Sequence, residues 1–256
     1  MLLFLLYVGR ALARPDGLKP GLHSPVTRAQ YLMGTVCEVT ANDPEAAFAE
    51  AKRIESFLST WREDSELSRV NRGEVTKPSP ELYALLHDAM AISRETDGTF
   101  DPLIGRFTLP RRGAKGSIDE GGFGKGYALD RMLAAIGGDA IINFGGQIAV
   151  RGTHEVAIAH PLHRDQPILT LTLRNASLST SSDSEHPGHI IDPATGQSVP
   201  PRGSVSVIDP SAFRADALST ALYVMGPERG LAWARAHDVT AIFISQSGEI
   251  TWSRKP

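Results

Sequence analysis

The chain has 256 residues, of which 41% are hydrophobic and 21% charged, and these ordinary globular values exclude a disordered chain and a fibrous repeat. Its 26 basic and 29 acidic residues give a net charge of −3, without the basic excess of a general nucleic-acid-binding protein. A single cysteine, Cys37, excludes an internal disulfide framework and a cysteine-rich metal site.

The N-terminus carries a short apolar run at residues 1–8. This run is too short to span a bilayer, and the small residues Ala11 and Ala13 have the spacing of a secretory cleavage site, although no positive charge precedes the run. We therefore predict a truncated signal peptide over residues 1–13 and an exported, periplasmic protein with no stable membrane span in its mature chain. The alternatives are an apolar first strand or a frayed terminus, and hence a cytoplasmic protein.

Apolar spacing and turn residues predict helix pairs that alternate with runs of short strands. In chain order we predict strand 32–41, helices 45–59, 80–96 and 125–136, strands 140–144, 148–151, 155–159, 168–173 and 205–208, helices 215–225 and 228–237, and strand 241–245. The segment containing Trp61 and Asn71 is predicted as a polar loop, and the serine-rich segment 177–184 as a strand end and polar loop. This order favours an α+β fold with a largely antiparallel sheet over a doubly wound fold, in one domain at residues 27–254.

A glycine-rich segment, 117–126, immediately precedes the third predicted helix. Its glycines let the backbone approach a ligand closely and present free N–H groups to an anion at a helix N-terminus. It is not a P-loop, because Asp119 stands where that motif requires glycine and Gly126 where it requires Ser or Thr. It also lacks the third glycine and the preceding strand of a dinucleotide-binding fingerprint. The plain structural alternative is a flexible turn at the start of a helix.

Asp216 and Thr220 are four residues apart on a predicted helix and therefore share one face. A carboxylate and a hydroxyl in this arrangement suit a hard divalent cation such as Mg²⁺, which takes oxygen ligands. Taken alone, the pair is also compatible with a solvated or capping helix face.

The histidines suggest two different kinds of site. His160 and His163 have a loosely zinc-like spacing, but neither a cysteine nor a helical HExxH frame accompanies them. His189 precedes an Asp-Pro and Thr-Gly turn at 192–196, where a side chain can be held at the edge of a site. Packing or a turn hydrogen bond is the plain alternative for His189.

Seven short motifs occur in one order between residue 33 and about residue 245. They are Met33-Gly-Thr, Leu58-Ser-Thr-Trp61, Asp97-Gly-Thr-Phe-Asp-Pro102, Ile118-Asp-Glu-Gly-Gly-Phe-Gly-Lys-Gly126, Asn143-Phe-Gly-Gly146, His189-Ile-Ile-Asp-Pro193 and Ala215-Asp-Ala-Leu-Ser-Thr220. Together they resemble the ApbE-type flavin transferases, which move FMN from FAD onto a Ser or Thr of an acceptor protein.

The resemblance implies a compact α+β domain related to the tunnelling fold, with the dinucleotide in a cleft. It implies an FAD site lined by Met33, Trp61, Thr99, Phe100, Asp101, Asp119, Lys125 and Ile191. It also implies a Mg²⁺ site, with Mn²⁺ as an alternative ion, formed by the backbone carbonyl of Gly122 with Asp216 and Thr220. His189 would take the proton of the acceptor hydroxyl, and Trp61 or Phe100 would stack on a flavin or adenine ring.

Acceptors in this family carry a Ser/Thr-Gly-Ala-Thr-like motif, which this chain lacks, so we expect a redox protein as acceptor in trans. Segments 106–117 and 182–189 are shorter than in many relatives. The resemblance therefore does not define the contacts to adenine and to the acceptor. The alternative functions are a Mg²⁺-dependent FAD pyrophosphatase giving FMN and AMP, a non-catalytic FAD-binding or delivery protein, and a zinc hydrolase at His160 and His163. Retention of His189, Asp216 and Thr220 argues against a pure binding protein.

Overall fold

The computed structural model describes residues 25–255 except 111, 112, 114 and 185. The elements in chain order are β1 (Val26–Leu32), β2 (Thr35–Ala41), α1 (Pro44–Leu58), α2 (Glu66–Asn71), α3 (Pro80–Glu95), α4 (Gly105–Thr108), a 3₁₀ turn (Glu120–Gly122), α5 (Gly124–Ala135), β3 (Ala140–Phe144), β4 (Gln147–Arg151), β5 (Thr153–Ala159), β6 (Pro167–Arg174), β7 (Ser177–Ser182), β8 (Ser204–Asp209), α6 (Ala212–Met225), α7 (Pro227–Ala236), β9 (Thr240–Ile244) and β10 (Ile250–Trp252). The predicted signal peptide at residues 1–13 lies outside the described residues.

Eight strands form one sheet in the order β1-β2-β3-β4-β7-β8-β9-β10, and every neighbouring pair is antiparallel. Strands β5 and β6 form a separate antiparallel pair. The predicted α+β fold with a largely antiparallel sheet is therefore confirmed.

The sheet is buried on both faces. One large core joins its strands to α1, α3, α5 and α6, through side chains such as Phe48, Leu129 and Leu218. A second, smaller core packs the β5–β6 pair against the other face, where Val156 and Leu173 are buried. Among the described residues, no helix combines the length and the apolar character needed to cross a membrane.

The predicted strand 32–41 is in fact a hairpin turn followed by β2. Met33 and Gly34 both have positive φ, +45° and +78°, and form the turn between β1 and β2. Methionine is not a typical turn residue, so nothing at this position indicated a break in the predicted strand. The turn places Met33 beside the functional site described below.

The predicted loop around Trp61 and Asn71 contains a short helix, α2, which is capped by the Ser65 hydroxyl. The prediction for 177–184 was also wrong, because β7 is a complete strand between β4 and β8. Its serines at 177, 179 and 181 are buried, whereas sequence patterns expect β-branched or aromatic residues in a central strand. Two of these hydroxyls form hydrogen bonds with side chains of α6, which allows a serine-rich strand to be buried.

Candidate active site

The glycine-rich segment forms the entrance to α5. The buried Asp119 caps the 3₁₀ turn, because its Oδ1 accepts a hydrogen bond from Gly121 N at 3.0 Å and its Oδ2 accepts one from the Thr108 hydroxyl. Gly124 then begins α5, whose first N–H groups have no partner within the helix. This helix N-terminus, together with the charge of Lys125, suits an anionic group of a ligand.

At Gly126, α5 lies directly against α6. A Cβ atom at this position would stand 2.3 Å from the carbonyl oxygen of Ala212 and 2.7 Å from Asp216 Cβ, so only glycine fits. The close approach lets Gly126 N donate a hydrogen bond to Asp216 Oδ2 at 2.9 Å.

Asp216 is a buried carboxylate on α6, with 2% of its surface exposed. Its Oδ1 accepts hydrogen bonds from Ser179 Oγ at 3.2 Å and from Gln147 Nε2 at 3.4 Å. Burial raises the pKa of this carboxyl, while the positive charge of Lys125 and the hydrogen bonds act in the opposite direction. Asp216 is therefore not on a solvated helix face, the alternative that the sequence had left open.

Thr220 lies one turn further along α6 and faces the glycine turn. Its Oγ1 is 3.4 Å from the position that a Cβ on Gly122 would occupy, and it donates a hydrogen bond to Asp216 O at 3.2 Å. Ser181 Oγ lies 3.5 Å from the same hydroxyl. Gly122, Asp216 and Thr220 thus border one place between the glycine turn and α6, and their role as metal ligands stays a prediction.

Met33 and Trp61 approach the glycine turn from another side. Met33 N donates a hydrogen bond to Glu55 Oε1 at 2.7 Å, and its Cε lies 3.7 Å from where a Cβ on Gly124 would be. Glu120 Oε1 accepts a hydrogen bond from the backbone N–H of Thr60 at 2.9 Å, which ties the neighbouring Trp61 to the turn. Trp61 is 75% exposed.

The Thr99–Asp101 segment makes mainly internal contacts that support the site, and little of it faces solvent. Phe100 is buried, packs edge-on against Phe123 at 6.2 Å between ring centroids, and lies behind Gly122. Thr99 Oγ1 donates a hydrogen bond to Thr96 O at 2.8 Å. Of the two aromatic rings predicted to stack on the ligand, only the Trp61 ring is exposed here.

Asp101 and Ile191 are connected through Arg106. Asp101 Oδ2 accepts a hydrogen bond from Arg106 Nη1 at 2.6 Å, and Arg106 Nη2 reaches the carbonyl of Pro193 at 3.4 Å. Ile191 is buried and pairs with Ser198 across the turn that contains this proline. The segments that contain Asp101 and Ile191, both predicted to line the FAD site, are thereby joined through one arginine.

His189 has a defined tautomer in its neutral form. Its Nδ1 lies 2.6 Å from the carbonyl oxygen of His186, which can only accept, so Nδ1 carries the proton and Nε2 is left basic. Asp183, which is buried, lies 3.5 Å from the same nitrogen. Burial lowers the pKa of His189, the hydrogen bond to His186 raises it, and the charge of Lys125 also lowers it. The imidazole side chain is 47% exposed and is therefore accessible to a second protein.

Asn71 is a supporting residue whose role the sequence did not predict. Its Oδ1 accepts hydrogen bonds from Ser117 N and Ile118 N, at 3.2 and 3.0 Å, and its Nδ2 donates to Ile118 O at 2.8 Å. The side chain thus holds the backbone that leads into Asp119. An isolated asparagine in a polar segment gives no sequence signal for such a distant contact.

The two zinc-like histidines do not form a metal site. The rings of His160 and His163 lie 4.9 Å apart, and His160 Nδ1 accepts a hydrogen bond from Leu162 N at 3.1 Å. Within the part of the chain that the structure describes, no group of three or more His, Cys, Asp or Glu side chains could hold a metal ion. The zinc hydrolase alternative therefore has no structural support.

The fold and the site together define an α+β protein in which a glycine-rich helix N-terminus faces a buried carboxylate and a hydroxyl on a second helix. A sequence model of the ApbE family matches residues 33–109 and 106–243, and the chain belongs to this family.

Curated relatives and solved structures agree with this assignment. The chain is 26% identical to the FAD:protein FMN transferase of Klebsiella pneumoniae (strain 342), over 88% of this chain and 87% of the relative. It is 27% identical to that of Treponema pallidum (strain Nichols), over 85% and 84%. The fold is similar to that of the flavin transferase ApbE from Vibrio cholerae, with a TM-score of 0.74, 23% identity and coverage of 89% and 96%. For the ApbE protein of Thermotoga maritima the corresponding values are 0.77, 22%, 90% and 97%.

Proposed function

We propose that this protein is a Mg²⁺-dependent FAD:protein FMN transferase. It moves the FMN moiety of FAD onto a Ser or Thr hydroxyl of an acceptor redox protein and releases AMP. Flavin transfer follows from the family and from the names of the curated relatives. The observation that carries the finer proposal is the juxtaposition of Gly122 with Thr220, one helical turn from the buried Asp216.

The residues at this place fit a hard divalent cation. Asp216 offers a carboxylate, Thr220 a hydroxyl and Gly122 a backbone carbonyl, the oxygen ligands that Mg²⁺ prefers. Two buried side-chain oxygens nearby, Gln147 Oε1 and Glu120 Oε2, have no hydrogen-bond partner among the described residues. When bound, the ion would neutralise the negative charge that develops on the diphosphate oxygens of FAD.

Lys125 and the N-terminus of α5 bind and orient the diphosphate. The positive end of this helix and the ammonium group supply positive potential that is fixed before the reaction begins. The charge of Lys125 acts to lower the pKa of both Asp216 and His189, so its ammonium group is within electrostatic reach of both side chains.

His189 removes the proton of the acceptor hydroxyl through Nε2, the nitrogen left basic by the hydrogen bond at Nδ1. The hydroxyl oxygen then forms a bond to the phosphorus of the FMN half, and the bond from that phosphorus to the bridging oxygen breaks. AMP departs with this oxygen. The 47% exposure of the His189 side chain supports access of the acceptor chain to the imidazole.

A direct test is incubation with FAD, MgCl₂ and an acceptor domain that carries the Ser/Thr-Gly-Ala-Thr motif. We expect covalent flavin fluorescence on the acceptor in a denaturing gel and one AMP released for each labelled acceptor. The matched control is an acceptor whose modified Thr is replaced by Val. Release of AMP with free FMN would show the pyrophosphatase, and bound but intact FAD would show the carrier; either result without labelling contradicts the proposal.

We also propose that the protein is exported. The apolar residues 1–8, followed by Ala11 and Ala13, support a cleaved signal and a periplasmic enzyme acting on exported or membrane-bound redox proteins. N-terminal sequencing of the protein from a periplasmic extract should begin after residue 13. Recovery of the uncleaved chain in the cytoplasm would contradict export without affecting the transfer reaction.

A further inference from the structure

Gln147 occupies a buried position at the candidate metal site. It is the first residue of β4, directly after the Gly145–Gly146 turn, and pairs with Ser179 of β7. Only 6% of its surface is exposed. Its Nε2 donates a hydrogen bond to Asp216 Oδ1, and Ser179 Oγ donates to the same oxygen.

The amide oxygen of Gln147 has no such partner. Four buried side-chain oxygens of the described residues lack a hydrogen bond, and the other three belong to Glu120, Ser177 and Ser204. Gln147 and Glu120 both border the place where Gly122, Asp216 and Thr220 lie. A buried carbonyl oxygen that is left unpaired destabilises the fold, so its presence beside a buried carboxylate requires an explanation.

We propose that Gln147 is an additional oxygen ligand of the divalent cation, through Oε1. Amide carbonyls are among the hard oxygen donors that Mg²⁺ and Mn²⁺ accept. The amide nitrogen at the same time holds Asp216 in place, so that one side chain orients the carboxylate and contributes an oxygen of its own. This inference rests on the proposed metal-dependent function, but it concerns cation binding and not transfer.

The test compares Gln147→Met, which removes the carbonyl at similar volume, with Gln147→Glu, which keeps an oxygen and adds charge. Mn²⁺ affinity is measured by electron paramagnetic resonance on protein with FAD bound. Terbium luminescence lifetimes in H₂O and D₂O count the water molecules on the bound ion. The control is Gln166→Met, at an exposed turn residue.

For Gln147→Met we expect Mn²⁺ affinity to fall roughly 10-fold or more and one extra water molecule on terbium. Gln147→Glu should bind Mn²⁺ at least as tightly as the unaltered protein, and Gln166→Met should not differ from it. Without metal, Gln147→Met should unfold near the temperature of the unaltered protein, because removal of the unpaired buried oxygen offsets loss of the 3.4 Å hydrogen bond from Nε2 to Asp216.

Unchanged Mn²⁺ affinity and unchanged hydration in Gln147→Met would overturn the inference, as would absence of cation binding by the unaltered protein. A protein that binds Mn²⁺ through Gln147 but does not label an acceptor would contradict the proposed function alone. The two failures are therefore distinguishable on the same preparations.

Discussion

The carboxylate of Asp216 is hydrogen-bonded at 2.9 Å to the backbone N–H of Gly126. The contact joins α6 to the first turn of α5, and only a glycine allows it, because a Cβ at position 126 would overlap Ala212 O and Asp216 Cβ. The position of the acidic group is thus fixed by main-chain packing between two helices.

Gly126→Ala should separate these helices. We expect the free energy of unfolding to fall by about 1–3 kcal/mol through overpacking, and Mn²⁺ affinity to fall with it because Asp216 moves. Urea unfolding and a cation titration measure the two effects. Gly137→Ala is the matched control, since a Cβ there meets nothing within 4 Å. Equal stability of both variants would show that the contact at Gly126 is not tight.

Asp216→Asn keeps the size of the side chain but removes the charge. We expect cation affinity to fall roughly 100-fold and FMN transfer to be abolished, while the far-ultraviolet circular dichroism spectrum is unchanged. Asn is preferable to Ala here, because truncation would leave the donors Ser179 and Gln147 buried without an acceptor. Full transfer activity in Asp216→Asn would refute the metal-binding role.

His189→Ala should leave FAD binding intact and reduce acceptor labelling by roughly 100-fold or more. Burial lowers the pKa of the imidazole below its usual 6.5, so the neutral, basic form already predominates at pH 7. The labelling rate should therefore rise with pH below about 6.5 and become level above it. His186→Ala is the control, since it keeps the backbone carbonyl that orients His189. The same pH profile in His189→Ala would exclude His189 as the titrating base.

Glu120→Gln should stabilise the protein in a pH-dependent manner. Burial, and then the charge of Asp119, raise the pKa of Glu120 from 4.5 to about 7, so the folded state holds this proton more tightly than the unfolded state. The contribution of the Glu120 carboxyl to the free energy of unfolding is therefore fully present below pH 4.5 and is lost as pH rises to about 7.

The amide of Gln does not ionise and still accepts a hydrogen bond from Thr60 N. Its advantage in free energy of unfolding should be near zero at about pH 4.5 and reach up to about 3 kcal/mol at about pH 8. Urea unfolding at several pH values measures this difference, with the exposed Glu249→Gln as control. A difference that is independent of pH would contradict a buried, protonated Glu120.

The sequence predicted the fold class and the five longer helices, α1, α3, α5, α6 and α7, because their apolar spacing is local. The short helices α2 and α4 were not predicted. It also predicted that Asp216 and Thr220 share a helix face, because four residues make about one helical turn. The residues that hold the site could not be found in this way. Asn71 contacts Ile118, Glu120 contacts Thr60, and Gln147 contacts Asp216, and each pair is separated by many residues.

The turn at Met33 and the strand β7 were missed for a related reason. Their composition contradicts the usual preferences for turns and strands, and only tertiary contacts compensate for it. Ser179 illustrates this, because its burial depends on the acceptor that Asp216 provides.

The serine-rich composition of β7 has a consequence for the order of folding. The strand contributes hydroxyl groups to the interior, so exclusion of water from it is favourable only after α6 has brought Asp216 and Ser219 alongside. A chain that paired β4, β7 and β8 before α6 arrived would trap polar groups without partners. Burial of β7 and positioning of the Asp216 carboxylate thus depend on the same hydrogen bond.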